Sequence, residues 1–186
     1  MSRLAPETAA PIARAVESAL TGDPVAGVGR ALELLEAAGW LDDEALFAAP
    51  SERAYTRKLI WLDPRERFVV VGMTWSPGQS TPLHDHAGFW VADIVTSGTM
   101  FETLYRVTER AAGGRVRFER ELHRIAKAKD IGGVRPPLEH HEFGNAGEGV
   151  ARTVHVYGGN MVRANAYERG ADGLWSALDT ALTYDD

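Results

Sequence analysis

Apolar residues recur at three- and four-residue steps through the first fifty positions: Ala9, Ile12, Ala13, Val16 and Leu20, then Ala31, Leu32, Leu35 and Ala38. That is the period of a helix with one buried face, and Pro6, Pro24 and Gly39 stand where two helix starts and a stop belong. From Tyr55 the period shortens. KLIWL and FVVVGMTW flank the turn-forming Asp63-Pro64 pair and predict a hairpin; FWVADIV, TMFETLYRV, RVRFERELHRI, ARTVHVYGG and MVRANAYE follow as further strands. Many short strands punctuated by Gly and Pro, without alternating helices, predict an all-β core, a sandwich or barrel with N-terminal helices attached. In DGLWSALDTAL, Asp172 is a candidate N-cap and Leu174, Leu178 and Leu182 fall at four-residue steps, which predicts a C-terminal helix over residues 172–183. No repeat, low-complexity tract or linker divides the 186 residues, so the chain reads as one domain: a helical annex (1–50), a β core (55–167) and the closing helix.

Composition narrows the chemistry. The net charge of −6, with basic residues spread along the chain, gives no electrostatic footprint for nucleic acid or an anionic membrane. Cysteine is absent, so disulfides, thiolate ligands and a cysteine nucleophile are excluded, and any metal must be held by nitrogen or oxygen. MSRLAPETAAPIARAVESALTGD lacks a continuous apolar stretch and carries Glu7 and Glu17, so no secretory signal is expected and the expected location is cytoplasmic.

Six histidines occur, at 84, 86, 123, 140, 141 and 155. In extended backbone His84 and His86 share a face while Asp85 points the other way, toward backbone or neighbouring groups rather than a metal. Two parallel imidazoles are a start of a metal site, and their frame extends it. Gly78 stands six residues before His84, Gly98 twelve after His86, and Pro136, His141 and Asn145 are spaced as P-x4-H-x3-N.

These spacings resemble the two signature motifs of the cupin superfamily, G-x5-H-x-H-x4-E-x6-G and G-x5-P-x-G-x2-H-x3-N. The resemblance implies a double-stranded β-helix, a jelly-roll-like barrel, and selects His141 over His140 as the third ligand beside His84 and His86. It is incomplete. Val91 stands where many cupins carry a ligating glutamate, and Asp130 and Leu138 stand where the second motif has glycines. A three-histidine face without an anionic ligand leaves a divalent ion its full charge and open positions.

AYTRKLI before the first motif, GTMFETLYRV after it and TVHVYGG near the end of the region make the chain similar to thiol dioxygenases of the cysteine dioxygenase type, over roughly Tyr55 to Tyr157. That resemblance implies a mononuclear non-haem Fe(II) held by His84, His86 and His141, and oxidation of a small thiol by O2 to a sulfinic acid. It implies that Arg57 anchors the substrate carboxylate, where a planar guanidinium can donate two charge-assisted hydrogen bonds, and that Tyr55 lines the pocket. Thr153, His155 and Tyr157 line up with the family's Ser-His-Tyr relay, the phenol being oriented by the histidine and serving as proton donor. The residues alone leave Arg57 open to a surface role, and His155 and Tyr157 to that of a hydrogen-bonded core pair. Some members join a cysteine to the active tyrosine by a thioether; the aligned position here is Val91, so Tyr157 is expected to be uncrosslinked.

The partners so implied are a small thiol and O2, with no nucleic acid and no membrane, the chain acting as a monomer or small homo-oligomer. Three activities fit. The first is cysteine oxidation; the second is the same chemistry on 3-mercaptopropionate, although the branch preferring that thiol usually has glutamine at the Arg57 position. The third is a non-catalytic cupin that binds a small carboxylate.

Overall fold

The computed structural model describes residue 4 and residues 6–185. Helices α1 (Pro6–Ser18) and α2 (Pro24–Ala37) come first. Asp23 caps α2 by accepting from the Val25 amide, Pro24 supplies its first turn, and Gly39, at φ +76°, takes the chain out of it. The strands follow as β1 (Thr56–Leu62), β2 (Val69–Trp75), β3 (Val91–Ser97), β4 (Thr99–Arg110), β5 (Val116–Lys127), β6 (Ile131–Val134), β7 (His140–Asn145), β8 (Ala151–Tyr157), β9 (Arg163–Arg169) and β10 (Trp175–Ala181). They form two five-stranded sheets, ordered β1-β2-β8-β3-β6 and β7-β4-β5-β10-β9, paired antiparallel throughout. This is the mostly-β, two-sheet architecture that the cupin spacings imply, with both helices at its N-terminal side.

Strand periodicity explains the layering. On β2, Val69, Val71, Met73 and Trp75 belong to the core between the sheets, while Val70 belongs to a second core under the helices with Ile12, Val16, Val28 and Leu32. Both faces are therefore covered, and all seven residues of β2 are buried, which is why FVVVGMTW is apolar without alternation. Gly72 sits where a Cβ would run into the Leu46 carbonyl oxygen, so the loop before β1 can lie directly on the strand. On β8 the same alternation sends Val154 and Val156 to the helices and leaves Thr153, His155 and Tyr157 on the face toward the interior. The outer face of the second sheet is wet, and β5 is correspondingly rich in charge. No helix among the described residues is long and apolar enough to cross a membrane.

The helix expected over 172–183 is not formed. Residues 175–181 are a strand, β10, paired with β9 from Trp175↔Arg169 to Ala181↔Arg163, so the β region extends well past residue 167. A four-residue step keeps side chains on one face of a strand as well as of a helix, so the leucine spacing does not discriminate, and Leu178 is exposed. Asp172 caps a tight turn instead, accepting from the Leu174 amide at 3.1 Å beside Gly173 at φ +78°. The resulting hairpin supplies backbone partners and an Arg163–Asp179 ion pair, which a short isolated helix would lack.

Candidate metal centre

The segment joining β2 to β3 carries His84 and His86, and β7 carries His141. His84 and His141 exchange both backbone hydrogen bonds, each 3.1 Å, so their side chains start from directly opposed positions. The segment is pinned from its other side by Asp85. That carboxylate accepts from the backbone and side-chain amides of Asn165 (3.0 and 2.8 Å), from the Ala87 amide (3.0 Å) and from the Tyr167 hydroxyl (2.9 Å). Burial works against its charge, but these bonds outweigh it and hold the carboxyl below its usual range.

The imidazoles of His84, His86 and His141 converge, with ring centroids 4.7 to 4.9 Å apart and one nitrogen of each within 4.8 Å of the others. His140, the preceding residue, faces away onto Phe118 and Tyr167. His123 lies elsewhere, bonded to Thr103. Burial, reinforced by the neighbouring imidazoles, lowers His84 to about 3 and holds His86 well below its ordinary value, so both rings are neutral at pH 7 and keep their lone pairs. Two tautomers are set by partners: His84 Nδ1 donates to the Pro82 carbonyl at 3.1 Å, and His141 Nδ1 donates to Glu102 at 2.8 Å. In each the Nε2 lone pair is left free for a ligand role. His86 Nδ1 is buried without a hydrogen-bond partner. Three converging imidazole nitrogens fit a divalent ion of the borderline class.

Glu102, on β4, is the support of His141. It is buried and also accepts from Arg124 at 2.6 Å; burial opposes its ionisation, yet the His141 and Arg124 bonds keep it below its usual range. Nearby Asp93 is pushed the other way, to about 7, by burial and by the Glu102 charge.

Of the residues expected to meet a substrate, Tyr157 lies against the trio. Tyr157 packs at 6.0 Å from the His86 ring. Val91 pairs with Tyr157 across β3 and β8, so an aliphatic side chain occupies the strand position opposite the phenol. Trp75 Nε1 donates to Thr153 Oγ1 at 3.0 Å, and that hydroxyl lies 2.8 Å from His155 Nε2. The Thr153 hydroxyl thus links Trp75 to His155. The chain of bonds stops there. His155 and Tyr157 are parallel rings 6.0 Å apart, and no hydrogen bond joins them; the Tyr157 hydroxyl lies 3.9 Å from the Met73 sulfur. The expected orientation of the phenol by His155 is thus replaced by packing between parallel rings. Tyr55 stacks on Trp75 at 4.5 Å. Arg57, on β1, is buried, with Nη1 donating to the Thr183 carbonyl at 3.1 Å and Nη2 unpartnered.

The family model for cysteine dioxygenase type I matches residues 2–170, which take in both helices, the three histidines and Arg57. The chain belongs to the cysteine dioxygenase type I family. Among solved structures it is similar to a conserved double-stranded β-helix protein from Klebsiella pneumoniae, at 25% identity over 61% of this chain and 85% of that one, TM-score 0.44. An oxalate oxidase in complex with glycolate matches at 17% identity over 60% of this chain and 54% of that one, TM-score 0.45. The cupin domain of Schizosaccharomyces pombe Cnp3 matches at 10% identity over 57% and 61%, TM-score 0.45.

Several residues around this family member's site carry no signal in its motifs. Glu102 lies inside GTMFETLYRV, where a glutamate in a strand reads as solvent-facing. Trp75 and Met73 read as core. Thr183, which reaches Arg57, ends the stretch that reads as a helix, and Tyr184 follows it.

Proposed function

We propose that the chain is an Fe(II)-dependent thiol dioxygenase that oxidises the thiol of cysteine, or of a similar small thiol acid, to a sulfinic acid, both oxygen atoms of one O2 ending on sulfur. The observation that supports this reading is the convergence of three imidazoles, with no carboxylate among the candidate ligands, beside the buried Tyr157. Held by His84, His86 and His141, Fe(II) would keep its dicationic charge and open positions, which favours a thiol as thiolate and supplies the redox chemistry.

The chain's own residues supply the rest. Arg57 holds the substrate carboxylate, which fixes the sulfur's distance from the histidines. Tyr157 stays protonated because burial pushes its hydroxyl up to about 12, so it acts as a donor and not as a base at neutral pH. Burial likewise lowers His155 to about 3, keeping it neutral, and the Thr153 hydroxyl, itself held by Trp75, anchors the ring. Trp75, Phe143 and Met73 exclude water.

The test is direct. Protein loaded with Fe(II) is given cysteine, 3-mercaptopropionate, cysteamine and homocysteine separately, with O2 consumption and sulfinate formation followed together. We expect sulfinate from the thiols that carry a carboxylate, one per O2. His141→Ala should lose iron, whereas His140→Ala should keep it. A protein that binds these thiols but consumes no O2 is a carboxylate-binding cupin, not an enzyme.

A further inference from the structure

The segment after β10, residues 182–185, returns to the edge of the first sheet and runs along β1. Leu182 donates to the Val162 carbonyl at 2.9 Å, and Asp185 meets Arg57 twice: its amide donates to the Arg57 carbonyl at 2.7 Å and its carboxylate accepts from the Arg57 amide at 2.8 Å. Between them Thr183 takes Arg57 Nη1 with its carbonyl, and Tyr184 lies with its ring 5.2 Å from the guanidinium carbon, face toward cation.

This arrangement changes what Arg57 can offer. One Nη1 hydrogen is taken by a backbone carbonyl. Nη2 remains buried and without a partner among the described residues, and so does the Tyr184 hydroxyl. Two buried donors without partners, on side chains packed against each other, are unfavourable unless an acceptor joins them. Both belong to the surroundings of Tyr157, since Tyr184 packs against the core that contains it. Burial raises the Tyr184 phenol, so it is a donor at neutral pH.

We infer that Arg57 Nη2 and Tyr184 Oη together form the carboxylate clamp, one donor to each oxygen, and that Tyr184 therefore sets the preference for thiols bearing a carboxylate. This rests on the thiol-acid reading of the site. Tyr184 lies beyond residues 2–170, so this donor is supplied from outside the stretch matched by the family model.

The experiment titrates the Fe(II)-loaded full chain anaerobically with 3-mercaptopropionate and, separately, with 1-propanethiol, following tryptophan fluorescence. Tyr184→Phe keeps the ring over Arg57 and removes only the hydroxyl, and an unchanged melting temperature checks that the segment stays docked. The variant should bind 3-mercaptopropionate about 10- to 100-fold more weakly, the loss of one hydrogen bond to a charged group, with 1-propanethiol unaffected. In aerobic turnover the same variant should raise KM for cysteine and leave kcat close to wild type. Unaltered affinity for 3-mercaptopropionate, or equal losses for both thiols, overturns the clamp. A wild type that prefers 3-mercaptopropionate through Tyr184 yet forms no sulfinate supports the clamp and rejects the dioxygenase reading. Sulfinate formation with equal affinity for both thiols does the reverse.

Discussion

Tyr157 shows how much one side chain's role depends on its neighbours. Its hydroxyl touches only a thioether sulfur, 3.9 Å away, and faces no acceptor strong enough to hold it, so it is free to turn toward a bound substrate. Val91 opposite it cannot form a thioether, so the mass of the protein should equal its sequence mass, as a single species. Tyr157→Phe should keep its iron and its fold, because no imidazole changes, and should slow sulfinate formation by about 10²–10⁴-fold, the contribution of a positioned proton donor. Iron content and initial rates check this, and full turnover in the variant would make Tyr157 a packing residue. At this scale the sequence is informative where function imposes fixed spacing: His84, His86 and His141 stand out, and His141 is distinguished from His140 before any fold is known. Glu102 and Tyr184 are silent, because each acquires its partner, His141 or Arg57, through contacts 39 and 127 residues away in the chain.

The elements were legible where periodicity and turn chemistry agree. The β1–β2 hairpin is the clearest case, and Asp63 is its pivot: it accepts from the Arg65 and Arg67 amides at 3.1 Å each, and from Arg67 Nε and Nη2 at 2.8 and 2.7 Å. These Arg67 bonds, foremost the side-chain pair, hold Asp63 at about 2 against the effect of burial. A native pKa depressed below the unfolded value near 3.9 stabilises the fold above that value, and the stabilisation is lost as pH falls through about 2. Asp63→Asn should therefore lower stability at pH 7 by about 1–3 kcal/mol. In urea unfolding followed from pH 7 downward, the gap between wild type and variant should narrow between about pH 4 and 2; a gap that stays constant would mean that the charge contributes nothing. The 172–183 stretch was misread for the opposite reason. Its four-residue leucine step suits both periods, and the deciding partner, β9, is a matter of tertiary pairing. That misreading also hid Tyr184, since a helix over 172–183 would not carry the chain back to Arg57.

At the scale of the whole molecule, β2, β3 and β8 serve two cores at once. Val70, Ala92, Ile94, Val154 and Val156 meet the helices, while Val69, Val71, Val91, Val95 and Tyr157 face the second sheet and the histidines. The helix layer therefore supports the sheet that backs the site, without touching a histidine of the trio. Leu32 of α2 is fully buried in the helix-side core, and Leu32→Ala should cost about 2–5 kcal/mol. A metal that binds only the native state adds RT ln(1 + [M]/Kd), about 2.7 kcal/mol at a hundredfold excess over Kd. Because Leu32 lies in the helix-side core, to which none of the trio belongs, the two effects should add. Melting wild type, Leu32→Ala and His84→Ala with Fe(II) and with a chelator closes the cycle. Leu32→Ala should melt lower under both conditions and retain the wild-type increment from iron, while His84→Ala should lose that increment and keep its chelated melting point near wild type. An increment that disappears in Leu32→Ala would mean that the helices hold the histidines in place through the sheet, so that the annex is part of the metal site's scaffold and not only its support.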